Sequence, residues 1–414
     1  MGKMRLALVG FVIVTIGALS FFPASANAQK KVYISGTQSL TGPYAEDSAA
    51  ILTAFEDYAK YVNETKKLAP WRNEKWPADI TVEVLWRDDE LKPAKALTIY
   101  EELKAKGILV YRCSGSPVAL ALKDRLKEDQ MGATSMATGP YLLKPPGTIM
   151  SYYPIYSDSC GAIADWVKEN WKEARKPRVA YLTADNAMGK SIEIPEMKAY
   201  LEKIGYEFVG SQYVPLVPTA PPTTQLMWLK ENKIDLAIGV MVNPGSQPTV
   251  KEMVRLGMGP FQPYKIVFGV ATPGHIAVFA PAMGTLGDGY VCAGSFPNWD
   301  DPAPGVKWEV ELQKKYHPQK FASHIQYMGG FLEAMIQVEA LRLAMEKTPF
   351  EKLKPGNVLH DGFYRIKDLN TGNISSTPLS YGPTRIEGVD AVRVDQLQKG
   401  KVVKVGTYPS RHLY

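Results

Sequence analysis

The sequence predicts an α/β fold of two lobes, each a parallel sheet with helices on both faces. Three observations carry this. Short apolar runs alternate with amphipathic segments of helical period along most of the 414 residues. That alternation is the signature of parallel strands joined by crossover helices. The rhythm breaks at Ser151–Ser157 and restarts at Asp158, and the length suits two domains or one large bilobed unit. In open parallel sheets ligands bind at the carboxyl ends of the strands. Two lobes facing each other would therefore enclose one cleft.

The elements follow in order. Val32-Tyr33-Ile34 is a short strand, and Ile51, Ala54, Phe55, Tyr58, Ala59 and Val62 then share one helical face. Ile80–Trp86 is the next strand. Pro93 suits the first turn of a helix with Ala96, Ile99, Tyr100 and Leu103 on its apolar face, ended by Gly107. A strand at Ile108–Tyr111, a helix at Val118–Leu126 and a strand near Thr134 complete the first run. The second run reads helix at Gly161–Trp171, strand at Val179–Leu182, helix at Ile192–Ile204 with Pro195 inside it, and strand at Phe208–Tyr213. Pro215–Pro222 is a Pro-rich surface loop. Helix at Thr224–Asn232, strand at Ile234–Val240, helix at Pro248–Leu256 and strand at Ile266–Gly269 follow. Two later helices span Val306–Tyr316 and Tyr327–Met345. Ala391–Val394 and Val402–Val405 form a hairpin around Gln398-Lys399-Gly400.

Residues 1–28 have a basic head (Lys3, Arg5), an apolar stretch from Leu6 to Phe22, and Ala26-Asn27-Ala28 as a small-residue cleavage site. This is the pattern of a secretory signal peptide rather than a membrane anchor: the stretch is short for a span and ends in a cleavage site. The mature chain is expected to begin at Gln29, with the product in the periplasm. Removing 28 of 414 residues leaves 386, and the net charge falls from +6 to +4 because Lys3 and Arg5 go and no acidic residue does. So mild a charge, without a Lys/Arg run, argues against a nucleic-acid partner. The three cysteines, Cys113, Cys160 and Cys292, exclude a disulfide framework and allow one bridge without fixing it.

Ala184–Ser191, ADNAMGKS, fits the permissive spacing of a phosphate-binding loop between strand and helix. Two facts oppose that reading. Asp185 puts a carboxylate where phosphates would sit, and ATP is not expected outside the cytoplasmic membrane. The five histidines, 275, 317, 324, 360 and 412, show no metal-binding spacing, and there is no G-x-S-x-G elbow. No metal, no cofactor and no catalytic activity are expected.

Several motifs now fall into one order: Gln38-Ser39-Leu40-Thr41-Gly42-Pro43, Arg87-Asp88-Asp89 before Pro93, Gly115–Ala121, Met136-Ala137-Thr138, Gly329-Gly330-Phe331 and Tyr381–Arg385. Together they resemble the type I periplasmic solute-binding proteins of ABC importers, the leucine/isoleucine/valine-binding group, across essentially 32–410. The resemblance implies two Rossmann-like lobes joined by a three-strand hinge near 150–156, 288–296 and 358–366. Lobe 1 would comprise 29–150 plus about 290–360, and lobe 2 would comprise 151–289 plus about 361–414. It implies a monomer that closes on a small molecule and docks on a membrane permease. A periplasmic sensory module presenting ligand to a receptor is the rival from another class, and a secreted enzyme is the second.

The resemblance also gives ADNAMGKS a role, as the turn after a lobe-2 strand that feeds a helix facing the cleft, with Met188 where the family has Tyr. Ser116 and Thr138 match hydroxyls that hold a ligand carboxylate, with Ala137 as a backbone neighbour. The competing reading is that Ser116 caps the helix at Pro117. Amino-acid binders in the family commonly place an acidic residue after the strand equivalent to Ile266–Gly269, to pair with the α-ammonium. This chain has Val270-Ala271-Thr272 there, and an ammonium buried without a partner is costly. The expectation is a carboxylate or amide without an α-ammonium, such as an aromatic acid. Tyr44, Tyr152, Tyr153, Tyr156 and Tyr327 either line that pocket or pack the hinge. Asp47 could instead supply the missing charge, and a branched-chain amino acid would then return as ligand.

Overall fold

The computed structural model describes residues 30–414 apart from 43, 137, 273, 274, 295 and 320–323, and apart from the side chains of 143 and 275. The expected leader peptide, its cleavage point and Ala137 lie outside the described residues.

The first sheet system begins with β1 (Lys30–Gln38), α1 (Ala45–Thr65), β2 (Ile80–Asp88) and α2 (Pro93–Ala105). It continues with β3 (Tyr111–Cys113), α3 (Ser116–Glu128), β4 (Ala133–Ser135), the short α4 (Pro140–Leu143) and β5 (Ile149–Ser151). β1 pairs β2 in parallel, and β3, β4 and β5 form a second parallel ladder in that order. The two ladders meet at β1 and β3. There the Gln337 carboxamide accepts from Ser35 N at 3.0 Å and donates to Tyr111 O at 3.0 Å, so one side chain bonds to both strands.

The second sheet holds α5 (Tyr156–Glu169), β6 (Arg178–Ala184), α6 (Ala187–Lys190), α7 (Pro195–Lys203), β7 (Glu207–Val214) and α8 (Thr223–Glu231). β8 (Leu236–Gly239), α9 (Asn243–Arg255), β9 (Val267–Ala271), α10 (His275–Met283) and β10 (Val291–Gly294) follow. After α11 (Pro304–Tyr316) and α12 (Gln326–Met345), the chain returns to this sheet as the hairpin β11 (Ala391–Gln398) and β12 (Lys401–Pro409). The strand order is β12-β11-β10-β9-β8-β6-β7, parallel except for β11 and β12. Pro195 opens α7 instead of sitting inside a longer helix, as expected where its missing N–H would be unsatisfied anyway.

Each sheet has its own core. The α1 face predicted from its period, Ile51, Ala54, Phe55, Tyr58 and Val62, packs against α12, whose 20 residues are all buried except Arg342 and Met345. A helix apolar on every side belongs inside a protein, and each large apolar side chain so buried contributes about 1.5–3 kcal/mol. The polar residues of α12 are bonded. Glu333 meets Arg112 Nε at 3.1 Å and accepts from Thr134 and Tyr152, while Arg112 also donates to Thr37 O and Gln38. The second core gathers α5, β6 and β8–β11. All three cysteines are buried and free. No described helix is long and apolar enough to cross a membrane.

Phe363, Ile366, Leu369, Ile374, Leu379, Tyr381, Ile386 and Val389 join the first core. The packing therefore moves the last change of lobe from the expected position near 361 to the link between Val389 and β11. The segment between them is 3-10 and π turns with isolated bridges, which have no period to read. The chain crosses between lobes after β5, after β10 and before β11. These crossings touch: Ser151 N donates to Ile386 O at 2.8 Å, Gly388 N donates to Ser151 O at 2.8 Å, and Tyr153 packs on Phe296 at 5.5 Å between ring centroids. Residues 410–413 clasp the same place. Asp158, in the first turn of α5, accepts from the amides of Arg411, His412 and Leu413 at 2.7–2.8 Å, and Ser157 donates to Leu413 O at 2.6 Å. The buried Glu387 carboxylate accepts from Ile155 N and faces His412 Nδ1 at 3.2 Å.

Candidate functional site

A cavity of about 330 Å³ lies between the two lobes. Its lobe-1 wall starts at the loop after β1. Asp88 accepts from Leu40 N at 3.0 Å and from the Thr41 hydroxyl, and Asp89 accepts from the Ser39 hydroxyl at 2.7 Å. Burial opposes charge at Asp88, but the donors Thr41, Glu90 N and Leu40 N hold its carboxyl below the ordinary range. Ser114 Oγ donates to the same Asp89, so one buried carboxylate fixes both ligand-facing loops of this lobe. Held this way, Tyr44, Asp47, Ser48 and Ile51 face the cavity from α1, and Gly115, Ser116 and Pro117 face it from the start of α3.

Ser116 is not a helix cap. The capping position belongs to Gly115, whose extended backbone carries no side-chain cap, and Ser116 is the first helical residue, 5% exposed. Its hydroxyl is a neighbour of the Tyr156 phenol. Burial pushes that phenol up to about 12, the phenol of Tyr141 adds to the shift, and Ser116 opposes it.

The lobe-2 wall is built from the carboxyl ends of β6, β8 and β9, where a parallel sheet offers its ligands. Asn186 and Met188 follow β6, Val242, Asn243, Pro244 and Gln247 follow β8, and Thr272 follows β9. The stretch ADNAMGKS is confirmed as a strand-to-helix turn. Asn186 caps it, its side chain accepting from Gly189 N at 2.9 Å. Lys190 pairs with Asp185 at 2.5 Å, so the lysine that a phosphate loop would need is already engaged. Met188 reaches across the cleft, with Tyr44 Oη 3.9 Å from its sulfur. Burial raises the Tyr44 phenol well above its usual value, so it stays protonated.

Of the sequence-predicted residues, Tyr44, Asp47, Ser116 and Met188 line the cavity together. Thr138, Tyr327 and Ala271 do not. Thr138 is fully buried, and its carbonyl accepts from Tyr156 N at 3.2 Å. Tyr327 donates to Asp57 Oδ2 at 2.8 Å within the lobe-1 core. Ala271 is buried in β9, and its neighbour Thr272 takes the wall position. Tyr152 and Tyr153 pack at the lobe junction, so of the five candidate tyrosines only Tyr44 and Tyr156 face the cavity. Sequence reasoning missed Asn186, Asn243, Gln247, His324 and Gln326. The rule that ligands meet strand ends would have found Asn186 and Asn243. Nothing local marks His324.

The electrostatics are specific. Among the described residues no Lys or Arg lines the cavity, and Glu46, Asp47 and His324 are the lining carboxylates and imidazole. Five helices of 13 residues or more, α1, α3, α5, α9 and α12, have a first-turn residue in its wall, none with a side-chain cap. α1 has Glu46 and Asp47 and α5 has Asp158 in the first turn, whereas α3, α9 and α12 have no acidic residue there. Three helix amino ends, α3 and α12 from lobe 1 and α9 from lobe 2, thus border the cavity without an acidic residue in the first turn, which favours an anionic group.

Fold and cavity define a two-lobed protein with a cavity of small-molecule size between its lobes. A family model described as periplasmic binding protein matches residues 31–354, and the chain belongs to that family, whose members bind solutes and are not enzymes. None of the curated proteins matches it. Among solved structures it is similar to a branched-chain amino acid ABC transporter protein from Thermus thermophilus with bound valine, at 22% identity and TM-score 0.78, covering 93% of this chain and 98% of that one. It is also similar to a solute-binding protein from Rhodopseudomonas palustris BisB5 in complex with 3,4-dihydroxybenzoic acid, at 20% identity and TM-score 0.71, covering 92% and 98%. A third is a fatty acid ABC transporter substrate-binding protein from Thermomonospora curvata, at 19% identity and TM-score 0.74, covering 93% and 94%. All three are type I two-lobed binding folds, like this chain.

Proposed function

We propose that this protein is the exported capture component of an ABC importer, and that it closes on a small organic carboxylate and delivers it to a membrane permease. The observation that supports this best is the pair of uncompensated helix starts, α3 with Ser116 and α9 with Asn243, on opposing lobes of one cavity that no Lys or Arg lines among the described residues. A carboxylate held by backbone N–H groups and a hydroxyl contacts both lobes at once. Only such a ligand favours the closed form, because a ligand shifts a two-state equilibrium by its differential affinity for the two states. The apolar wall of Tyr44, Ile51, Leu91, Met136, Tyr156 and Met188 suits an aromatic or branched aliphatic body. Within the family, valine and dihydroxybenzoate occupy similar folds in other proteins, so aromatic acids and branched-chain amino acids are the two classes to compare.

The test is calorimetric titration of ligand-stripped protein with leucine, benzoate and coumarate. Binding of the acids, with contraction in small-angle scattering on saturation, is the expected result. Tight binding of leucine and none of the acids would reject the aromatic-acid class and retain the capture role. A shape indifferent to every bound compound would reject hinge closure itself.

A further inference from the structure

We infer that Asp47 and His324 form a hydroxyl-reading pair in the cavity, which selects hydroxylated carboxylates over both their deoxy analogues and α-amino acids; this rests on the carboxylate-capture reading above. Asp47 stands in the first turn of α1, and His324 stands just before α12, so two separate elements bring them together. His324 Nε2 lies 3.2 Å from Asp47 Oδ1. The imidazole is oriented from behind, because its Nδ1 accepts from Gln326 N at 3.3 Å. That bond leaves the ring proton on Nε2, the nitrogen nearer Asp47. His324 is 13% exposed and Asp47 33%, and both line the cavity. Asp47 retains a second oxygen, Oδ2, for which the described residues supply no hydrogen-bond donor.

Two features set what this pair accepts. Asp47 already lies beside the His324 imidazole, 3.2 Å away, and at the amino end of α1, both of which offset its charge. An α-ammonium would therefore lose its hydration for a carboxylate that is largely compensated. At the alternative place for an ammonium partner, the corner after β9, the described wall residue is Thr272, whose hydroxyl donates to Met241 O at 2.5 Å. A ligand hydroxyl meets the same pair without bringing charge, donating its proton to Oδ2. A site built to bond a hydroxyl rejects the analogue that lacks it, because the protein group is then left unpaired. The shared chemistry is thus a carboxylate plus a hydroxyl on an apolar body, and the body is either aromatic or aliphatic.

The experiment uses the full mature chain, stripped of ligand by unfolding and refolding, and titrates five probes. The aromatic arm compares 4-hydroxybenzoate with benzoate. The aliphatic arm compares 2-hydroxy-4-methylpentanoate, 4-methylpentanoate and leucine. In at least one arm the hydroxy acid should bind about tenfold or more tighter than its deoxy partner, and in the aliphatic arm leucine should be weaker than the hydroxy acid. Asp47→Ala and His324→Ala should each shrink the hydroxy preference to within about threefold. Ser116→Ala should weaken hydroxy and deoxy acids alike and keep their ratio. Far-ultraviolet circular dichroism checks that each variant is folded. Leucine binding tightest, equal binding of hydroxy and deoxy acids, or a preference that survives both alanine variants would each overturn the inference while leaving carboxylate capture standing. No binding of any of the five would overturn the carboxylate reading itself, and the inference with it.

Discussion

At Gly189 a Cβ atom would stand 1.9 Å from the Ala184 carbonyl oxygen, so no larger residue fits without moving the turn that carries Asn186 and Met188. Gly189→Ala should lower the unfolding free energy by about 1–3 kcal/mol in urea titration and weaken ligand binding, because the displaced turn is part of the cavity wall. Ser116→Ala should weaken carboxylate binding about tenfold by calorimetry, the loss of one hydrogen bond to a charged acceptor. Ser116 and Met188 reach the cavity wall from turns that resemble those of a family, whereas Tyr44 and Asp47 follow the Gln38–Pro43 motif at the start of α1. Ala271 and Tyr327 were misplaced by one position each, with Thr272 and Gln326 facing the cavity in their stead. One residue along a strand reverses the face, and one along a helix turns it by about 100°. A short motif that fixes an element's end therefore does not fix which of two neighbours faces the ligand. His324 lies in the link before α12, where no period operates.

The elements themselves were largely readable, since period 2 and period 3.6 survive in α1, α2, β2, β6 and the closing hairpin. The join between β1 and β3 was not. It depends on Gln337 and Arg112 reaching from distant parts of the chain, and a side chain that replaces a ladder leaves no local pattern. Gln337→Leu should leave Ser35 N and Tyr111 O short of partners and cost about 1–3 kcal/mol per orphaned group, with faster amide exchange along β1 and β3 as the readout. α11 poses a different case. Glu309 is fully buried, and its carboxylate oxygens have no hydrogen-bond partner among the described residues. Burial pushes its carboxyl well above the usual range. Its folded-state pKa thus exceeds its unfolded one, so its contribution is complete below the ordinary carboxylate range and is lost as pH rises through the folded value. Thermal unfolding should show stability falling toward alkaline pH, with Glu309→Gln flattening that fall.

For the whole molecule, the two-lobed plan followed from the restart of the rhythm at Asp158. The place of the last crossing did not, because residues 358–389 pack through turns. The clasp at that junction should respond to pH. Hydrogen bonding to Glu387 raises the His412 imidazole, and burial, first among several causes, raises the Glu387 carboxyl. Both folded values exceed the unfolded ones, so both contributions weaken as pH rises, that of Glu387 from the carboxylate range upward and that of His412 through neutrality and above. The difference in midpoint temperature between the native chain and His412→Ala should shrink between about pH 5.5 and about pH 8.5.

The Asp158 clasp also says where the molecule bends. Three backbone amides and the Ser410 hydroxyl bind one carboxylate in the first turn of α5, which makes the path from α5 to residues 410–413 a stiff bracket. Rotation of one lobe on the other then has to be taken up by the unclasped links, 152–154 and 296–299, and the pivot is pushed to the side of the junction away from the bracket. The lobes should consequently open like a book along a spine and not twist, and the amides of Arg411, His412 and Leu413 should exchange slowly with solvent whether the covers are apart or together.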